Sequence, residues 1–248
     1  MNNKLLNKIT YRFSGDQKPF LISIHIPKTG GRSFYELLKL VYGAKVDPRT
    51  KREDFFPDES KKEKITITKD ISVLHGHFHF PEIQHLTGPQ TKLVTWLREP
   101  ADRVISNYYF LMFRIQSGKV KPEQRDKQSY SLMDYAKMDS QKNVMKKFLG
   151  DSDLDDYFFA GDFHEYAKEI NHLLNRLGYK GKVPEIHENK THDLNIYKLC
   201  TTQPGDITDT MKDEIREMNQ ADIHLYNTML ELKKRRGEPE AALNKRTH

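Results

Sequence analysis

One unit near the start of the chain constrains the fold more than any other feature. Phe20-Leu21-Ile22-Ser23-Ile24-His25-Ile26 is a short, β-branched apolar run that reads as a buried strand. Pro27 stops it, and Lys28-Thr29-Gly30-Gly31-Arg32-Ser33 follows as a turn. Phe34, Leu37, Leu38 and Val41 then recur at i, i+3, i+4 and i+7, so a helix begins directly after the glycines. Residues 71–77 and 91–97 read as two further strands. Pro100 is placed to open a helix whose apolar face is Val104, Ile105, Tyr108, Leu111 and Met112. Helical patterns cover 131–138 and 141–149. Tyr157–Gly161 is a short strand, followed by a helix through Tyr166, Ile170, Leu173, Leu174 and Leu177. One long final helix is expected from about Ile207 to Lys233-Lys234-Arg235-Arg236-Gly237. Strands that alternate with helices predict an α/β domain with a mostly parallel sheet. The stretches 44–70 and 113–130 are charged excursions with little periodicity.

Composition narrows the class. The chain has 248 residues, which suits one domain spanning 1–248. No apolar stretch reaches the roughly 18 residues needed to cross a bilayer. The start, Met1-Asn2-Asn3-Lys4-Leu5-Leu6, lacks a signal-peptide core. Cys200 is the single cysteine, which excludes an internal disulfide and a cysteine-based zinc site. A cytoplasmic protein is expected. A net charge of +6 suits an anionic ligand without naming one.

The turn after the first strand is the candidate anion site, because open parallel sheets bind ligands beyond the carboxyl ends of their strands. Glycines let backbone N–H groups approach an anion, and the helix N-terminus adds partial positive charge. Lys28 supplies a full charge, and Thr29 and Ser33 supply hydroxyls. An ordinary βα turn whose glycines relieve crowding is the alternative. The pattern is not a Walker A loop, which would need glycine at Ile22 and Pro27. A magnesium-nucleotide hydrolase or phosphotransferase is thereby disfavoured.

His25-Ile26-Pro27-Lys28-Thr29-Gly30-Gly31-Arg32-Ser33-Phe34 resembles the 5′-phosphosulfate loop of sulfotransferases that use 3′-phosphoadenosine 5′-phosphosulfate (PAPS). It is most similar to the carbohydrate branch, which includes heparan sulfate and uronyl 2-O-sulfotransferases. Trp96-Leu97-Arg98-Glu99-Pro100-Ala101-Asp102-Arg103-Val104-Ile105-Ser106-Asn107-Tyr108-Tyr109-Phe110 resembles that family's 3′-phosphate segment. His75-Gly76-His77 resembles the His-Gly-His of the uronyl enzymes, whose second histidine is their proposed base.

The resemblance implies a P-loop-like parallel sheet flanked by helices and a PAPS-dependent sulfotransferase activity. Lys28, Thr29, Gly30, Gly31, Arg32 and Ser33 would hold the 5′-phosphosulfate. Arg98 and Ser106 would hold the 3′-phosphate. His77 would be the base, with Lys28 and His75 assisting. Lys190, in His187-Glu188-Asn189-Lys190-Thr191, falls where related enzymes have a loop over the nucleotide. Arg103 is either a second phosphate ligand or structural. PAPS needs two anion sites at one sheet edge, and Arg98 offers the paired donors that lysine lacks.

The histidines admit three readings. His75, His77, His79 and His85 invite a metal site. Gly76 and Pro81 argue against a regular strand through them, and Glu82 is the only acid at a comparable spacing. Histidines that simply line a polar loop are the plain alternative. Transfer to a hydroxyl asks for a base, which a neutral imidazole with pKa near 6.5 supplies, and it asks for no metal. His25 is expected to neighbour the loop structurally.

The animal glycan enzymes of that branch are membrane-anchored and often carry disulfides. This chain is read instead as a prokaryotic relative. Its acceptor is expected to be a glycan or glycoconjugate, not a nucleic acid. Lys51, Arg52, Lys61, Lys62, Lys64, Arg114, Lys119, Lys121 and Arg125 would rim its cleft if the glycan is acidic. A non-catalytic polyanion or nucleic-acid binder is the rival class, and it leaves residues 28–33, 75–77 and 98–106 unexplained.

Overall fold

The computed structural model describes residues 20–58, 64–181, 197 and 200–236. Its centre is a four-stranded parallel sheet in the order β2-β1-β3-β4, built from β1 (Leu21–Ile24), β2 (Val73–Gly76), β3 (Lys92–Leu97) and β4 (Phe159–Asp162). The expected α/β class and parallel sheet are therefore present. The helices are α1 (Gly31–Tyr42), α2 (Arg52–Phe55), α3 (Phe80–Ile83), α4 (Pro100–Gln116), α5 (Leu132–Ala136), α6 (Val144–Leu149), α7 (Tyr166–Arg176), α8 (Asp209–Glu217) and α9 (Gln220–Arg235).

Strand alternation sorts the side chains into two cores. Leu21, Val73, Val94, Trp96 and Phe159 pack on one face against Phe34, Leu37 and Leu38 of α1 and Ile170, Leu173 and Leu174 of α7. Ile22, Ile24, Leu74 and Leu97 pack on the other against Met145 and Leu149 of α6 and Leu225, Met229 and Leu232 of α9. Both faces are covered, which is why the strands read as nearly continuous apolar runs. A third core joins α4, α5 and α8 through Val104, Tyr108, Met112, Leu132 and Ile215.

The expected single final helix is two helices, broken at Met218 and Asn219. Asn219 is fully buried; its Oδ1 accepts from the Asn143 N–H at 2.8 Å, and its Nδ2 donates to the Ile215 carbonyl at 2.7 Å. Asp222 accepts from the N–H groups of Met145 and Lys146, at 3.1 and 2.8 Å. These bonds fasten the start of α9 to the start of α6, a long-range demand that apolar spacing does not register. Lys233 is also not solvated helix-end charge. It is buried and paired with Glu165 and Glu169, beside the edge strand β4.

Candidate functional site

The sheet order creates a switch point. From β1 the chain passes to β2 on one side, and β3 lies on the other, so loops leaving the carboxyl ends of β1 and β3 diverge across a crevice. Lys28 leaves β1 at this point and Arg98 leaves β3. They meet: Arg98 Nη1 donates to the Lys28 carbonyl at 3.2 Å.

The loop is shaped for this meeting. Lys28 has φ +72°, in the left-handed region that costs a side-chain-bearing residue about 1–2 kcal/mol. Its ammonium lies 4.1 Å from the centre of the Phe110 ring on α4. Arg98 stacks over Phe163, 4.9 Å from the ring centre. Gly30 has φ +81°, and a Cβ there would stand 2.6 Å from the Phe163 ring. Burial, then the neighbouring Arg98 charge, lowers the Lys28 pKa to about 8. An anion bound beside these two cations would relieve both the repulsion and the desolvation.

The remaining loop residues divide. Thr29 is buried and its hydroxyl donates to the Ile26 carbonyl at 2.8 Å, so that proton is spent shaping the loop and is not offered outward as expected. Arg32 is exposed and Ser33 half-buried in the first turn of α1, where helix geometry leaves N–H groups without intrahelical acceptors. Ser106 is half-buried in the second turn of α4. Arg103 is fully buried; its Nη2 donates to the Gln141 carbonyl at 2.9 Å, and its Nε and Nη1 have no hydrogen-bond partner among the described residues. Lys190 lies outside the described residues.

The histidines do not act as one cluster. β2 ends at Gly76, and His79 turns away to the start of α3, where its backbone N–H donates to Glu82. His85 bonds the Ile65 carbonyl through Nε2 at 2.9 Å. His75 and His77 instead join His25 from the neighbouring strand, in a register that pairs Ser23 with His75. The His25 ring stacks on His77 with centres 4.0 Å apart and on His75 with centres 5.0 Å apart. Gly31 serves this stack, because a Cβ there would fall 1.9 Å from the His25 ring. The crowding explanation thus holds for Gly31.

Each imidazole is held neutral. His25 lies well below its usual pKa through burial and then through His77, His75 and Lys28. His75, 1% exposed, is lowered to about 3 by burial and then by His77. Burial also lowers His77, although its bond to the His25 carbonyl and the charge of Glu53 pull the other way. The His77 bond fixes a tautomer. Nδ1 lies 2.8 Å from the His25 carbonyl, and a carbonyl only accepts, so Nδ1 carries the proton and Nε2 the bare lone pair. His75 Nδ1 lies 3.0 Å from the Ser23 hydroxyl, inside the protein.

This buried stack makes the fold acid-sensitive. The folded pKa of His75 lies below its unfolded value near 6.5, so on acidification the unfolded chain takes up the proton first. The stability present above pH 6.5 is lost as pH falls, by about 1.4 kcal/mol per pH unit from His75 alone. Urea unfolding at pH 7.0 and 5.5 is expected to show that loss, and His75→Asn is expected to lose about 1.4 kcal/mol per unit less. Equal slopes for the two proteins would contradict the buried neutral imidazole.

Sequence reading gave no role to Phe110, Phe163, Ser23, Glu53 or Phe148, whose ring stands edge-on to His77. The alternation that places Ser23 and His25 on the face of His75 and His77 was available once β1 and β2 were taken as neighbours. Nothing local marks the three phenylalanines.

Among the basic residues expected to rim the acceptor cleft, Arg52 forms a paired bridge to Glu82 at 2.7 and 3.0 Å. Arg114 donates to the Lys119 carbonyl at 2.9 and 2.7 Å. Lys61 and Lys62 lie outside the described residues. Among the described residues, no helix is long and apolar enough to cross a membrane.

Comparison with known proteins places the chain in a family. The chain is similar to a solved sulfotransferase from Alicyclobacillus acidocaldarius, with 14% identity over 92% of this chain and 99% of that one and a TM-score of 0.47. It is also similar to a mouse sulfotransferase complexed with PAP, with 12% identity over 89% of each chain and a TM-score of 0.46. No curated protein matches the sequence. The model of the sulfotransferase family matches residues 11–227, which leaves only the two ends of the chain outside it. On that match, the chain belongs to the sulfotransferase family.

Proposed function

We propose that the protein moves a sulfuryl group from PAPS to a hydroxyl of a carbohydrate acceptor, in a prokaryotic cytoplasm and without a metal. One observation carries this reading. The switch point that joins Lys28 to Arg98 also holds, stacked on His25, a histidine whose Nε2 is unprotonated.

Bound PAPS supplies an activated sulfuryl group whose transfer asks mainly for alignment and charge stabilisation. Lys28 and the backbone N–H groups from Gly30 to Ser33, with Arg32 beside them, hold the 5′ end. Arg98 and Ser106 hold the 3′-phosphate, and Arg98 does so through two parallel donors. His77 Nε2 takes the proton of the acceptor hydroxyl as its oxygen bonds to sulfur. The bond from sulfur to the bridging oxygen breaks, and Lys28 neutralises the charge left there. His75, one ring further in, orients the stack.

The donor assignment is tested by melting. Adenosine 3′,5′-diphosphate is expected to stabilise the protein by about 2.7 kcal/mol at 100 times its Kd, and AMP much less at the same concentration. Arg98→Ala is expected to erase that preference. Equal shifts from the two nucleotides would return the site to a general anion binder.

A further inference from the structure

The ground around His77 says which acceptors can reach it. The His77 N–H donates to the Thr50 carbonyl at 3.0 Å, so the segment leading into α2 lies directly against the base. Phe55 of α2 packs where a side chain on Gly76 would stand. Arg49 and Arg52 flank this contact, and both are tied to acids. Arg49 bonds Asp47 through Nε and Nη2, at 3.0 and 2.7 Å, and Arg52 bonds Glu82 as described above. Glu53, on the same short helix, is exposed and acts electrostatically on His77. On the other flank, the Phe148 ring stands edge-on to His77 with centres 6.3 Å apart, and 4.7 Å from His79. Phe148 is half-buried, so part of its ring is exposed beside the base. The described surroundings of His77 thus include an aromatic ring, two arginines tied to acids, the exposed carboxylate of Glu53, and the exposed Lys51, whose charge acts on Asp54 of the same helix.

We propose that the hydroxyl presented to His77 belongs to an uncharged sugar, with Phe148 the ring its apolar face lies against and Glu53 the charge that disfavours anionic sugars. This rests on the sulfuryl-transfer reading above. An acidic glycan would instead meet Glu53 as a like charge and two guanidiniums already engaged, and like charges at an interface are costly. A hexose has an apolar C–H face that an aromatic ring covers.

A matched pair of acceptors tests it. 4-Nitrophenyl β-D-glucoside and 4-nitrophenyl β-D-glucuronide differ at C6, a hydroxymethyl in the first and a carboxylate in the second, so transfer is scored at the ring hydroxyls that both carry. With PAPS as donor and product formation as readout, the glucoside is expected to have a kcat/KM about tenfold higher or more in 20 mM salt. The gap should narrow at about 0.5 M salt, where screening shortens the reach of Glu53. Glu53→Gln should narrow it as well. Phe148→Ala should raise the glucoside KM about five- to tenfold while leaving the melting shift with adenosine 3′,5′-diphosphate unchanged. Phe148→Leu, which keeps apolar bulk in the core, should show a smaller rise. Preference for the glucuronide, or no transfer to the glucoside with the melting shift intact, overturns the acceptor assignment and leaves the donor reading standing. Loss of the melting shift in the wild-type protein overturns the donor reading itself.

Discussion

His77→Ala is expected to lower kcat by about 10²–10⁴ while the affinity for adenosine 3′,5′-diphosphate barely changes. The size is that of a positioned general base. Its selectivity follows from geometry: among the described residues, His77 reaches the donor loop through the His25 ring and carbonyl, whereas Lys28 and Arg98 belong to the loop ends themselves. In the wild type, kcat/KM should rise with pH through a limb below 6.5. The limb lies on the low side of the usual imidazole value, because burial favours the neutral ring more than the His25 carbonyl and Glu53 favour the charged one. The limb should vanish in His77→Ala. His75→Ala should have the smaller effect on rate, since His75 is 1% exposed and meets Ser23 inside the protein. A dead His75→Ala beside an active His77→Ala would show that the inner imidazole is the base. Donor affinity lost in step with rate would make His77 a nucleotide-binding or structural residue.

Lys28→Met is expected to lower kcat/KM for PAPS by about 10²–10³, the loss typical of one preorganised group aimed at developing charge. The pH profile gives it a signature. With a free-enzyme pKa of about 8, Lys28 loses its charge as pH rises, so kcat/KM should fall on an alkaline limb near pH 8. That limb should be absent in Lys28→Met. Lys28→Gly should be as inactive, yet more stable than Lys28→Met by about 1 kcal/mol, because glycine adopts φ +72° without the left-handed penalty. An inactive but more stable glycine variant would show that the backbone strain at Lys28 is kept for the site and not for the fold. Retained activity in both variants would remove Lys28 from the mechanism.

Much of this was legible in the residues themselves. Apolar runs bounded by proline and glycine marked all four strands, because a strand buried on both faces has no polar alternation to hide it. The strand, turn and helix around Lys28 fixed a loop at the carboxyl edge of the sheet, and Pro100 fixed the start of α4 beside Arg98. Local chemistry sufficed there, since backbone reach and helix initiation depend on neighbours in sequence. The break at Asn219, the burial of Lys233 and the capture of Arg52 by Glu82 were not legible, because each depends on a partner distant in the chain. The same holds within the candidate site. The sequence alone determined which residues carry charge, which carry a titratable ring, and where the chain must turn. Only the tertiary structure decided that β1 lies between β2 and β3, and this one fact stacks His25 on His77, selects its tautomer and brings Arg98 to Lys28. Strand order is set by how two cores close over a sheet, a long-range packing choice that no local spacing encodes.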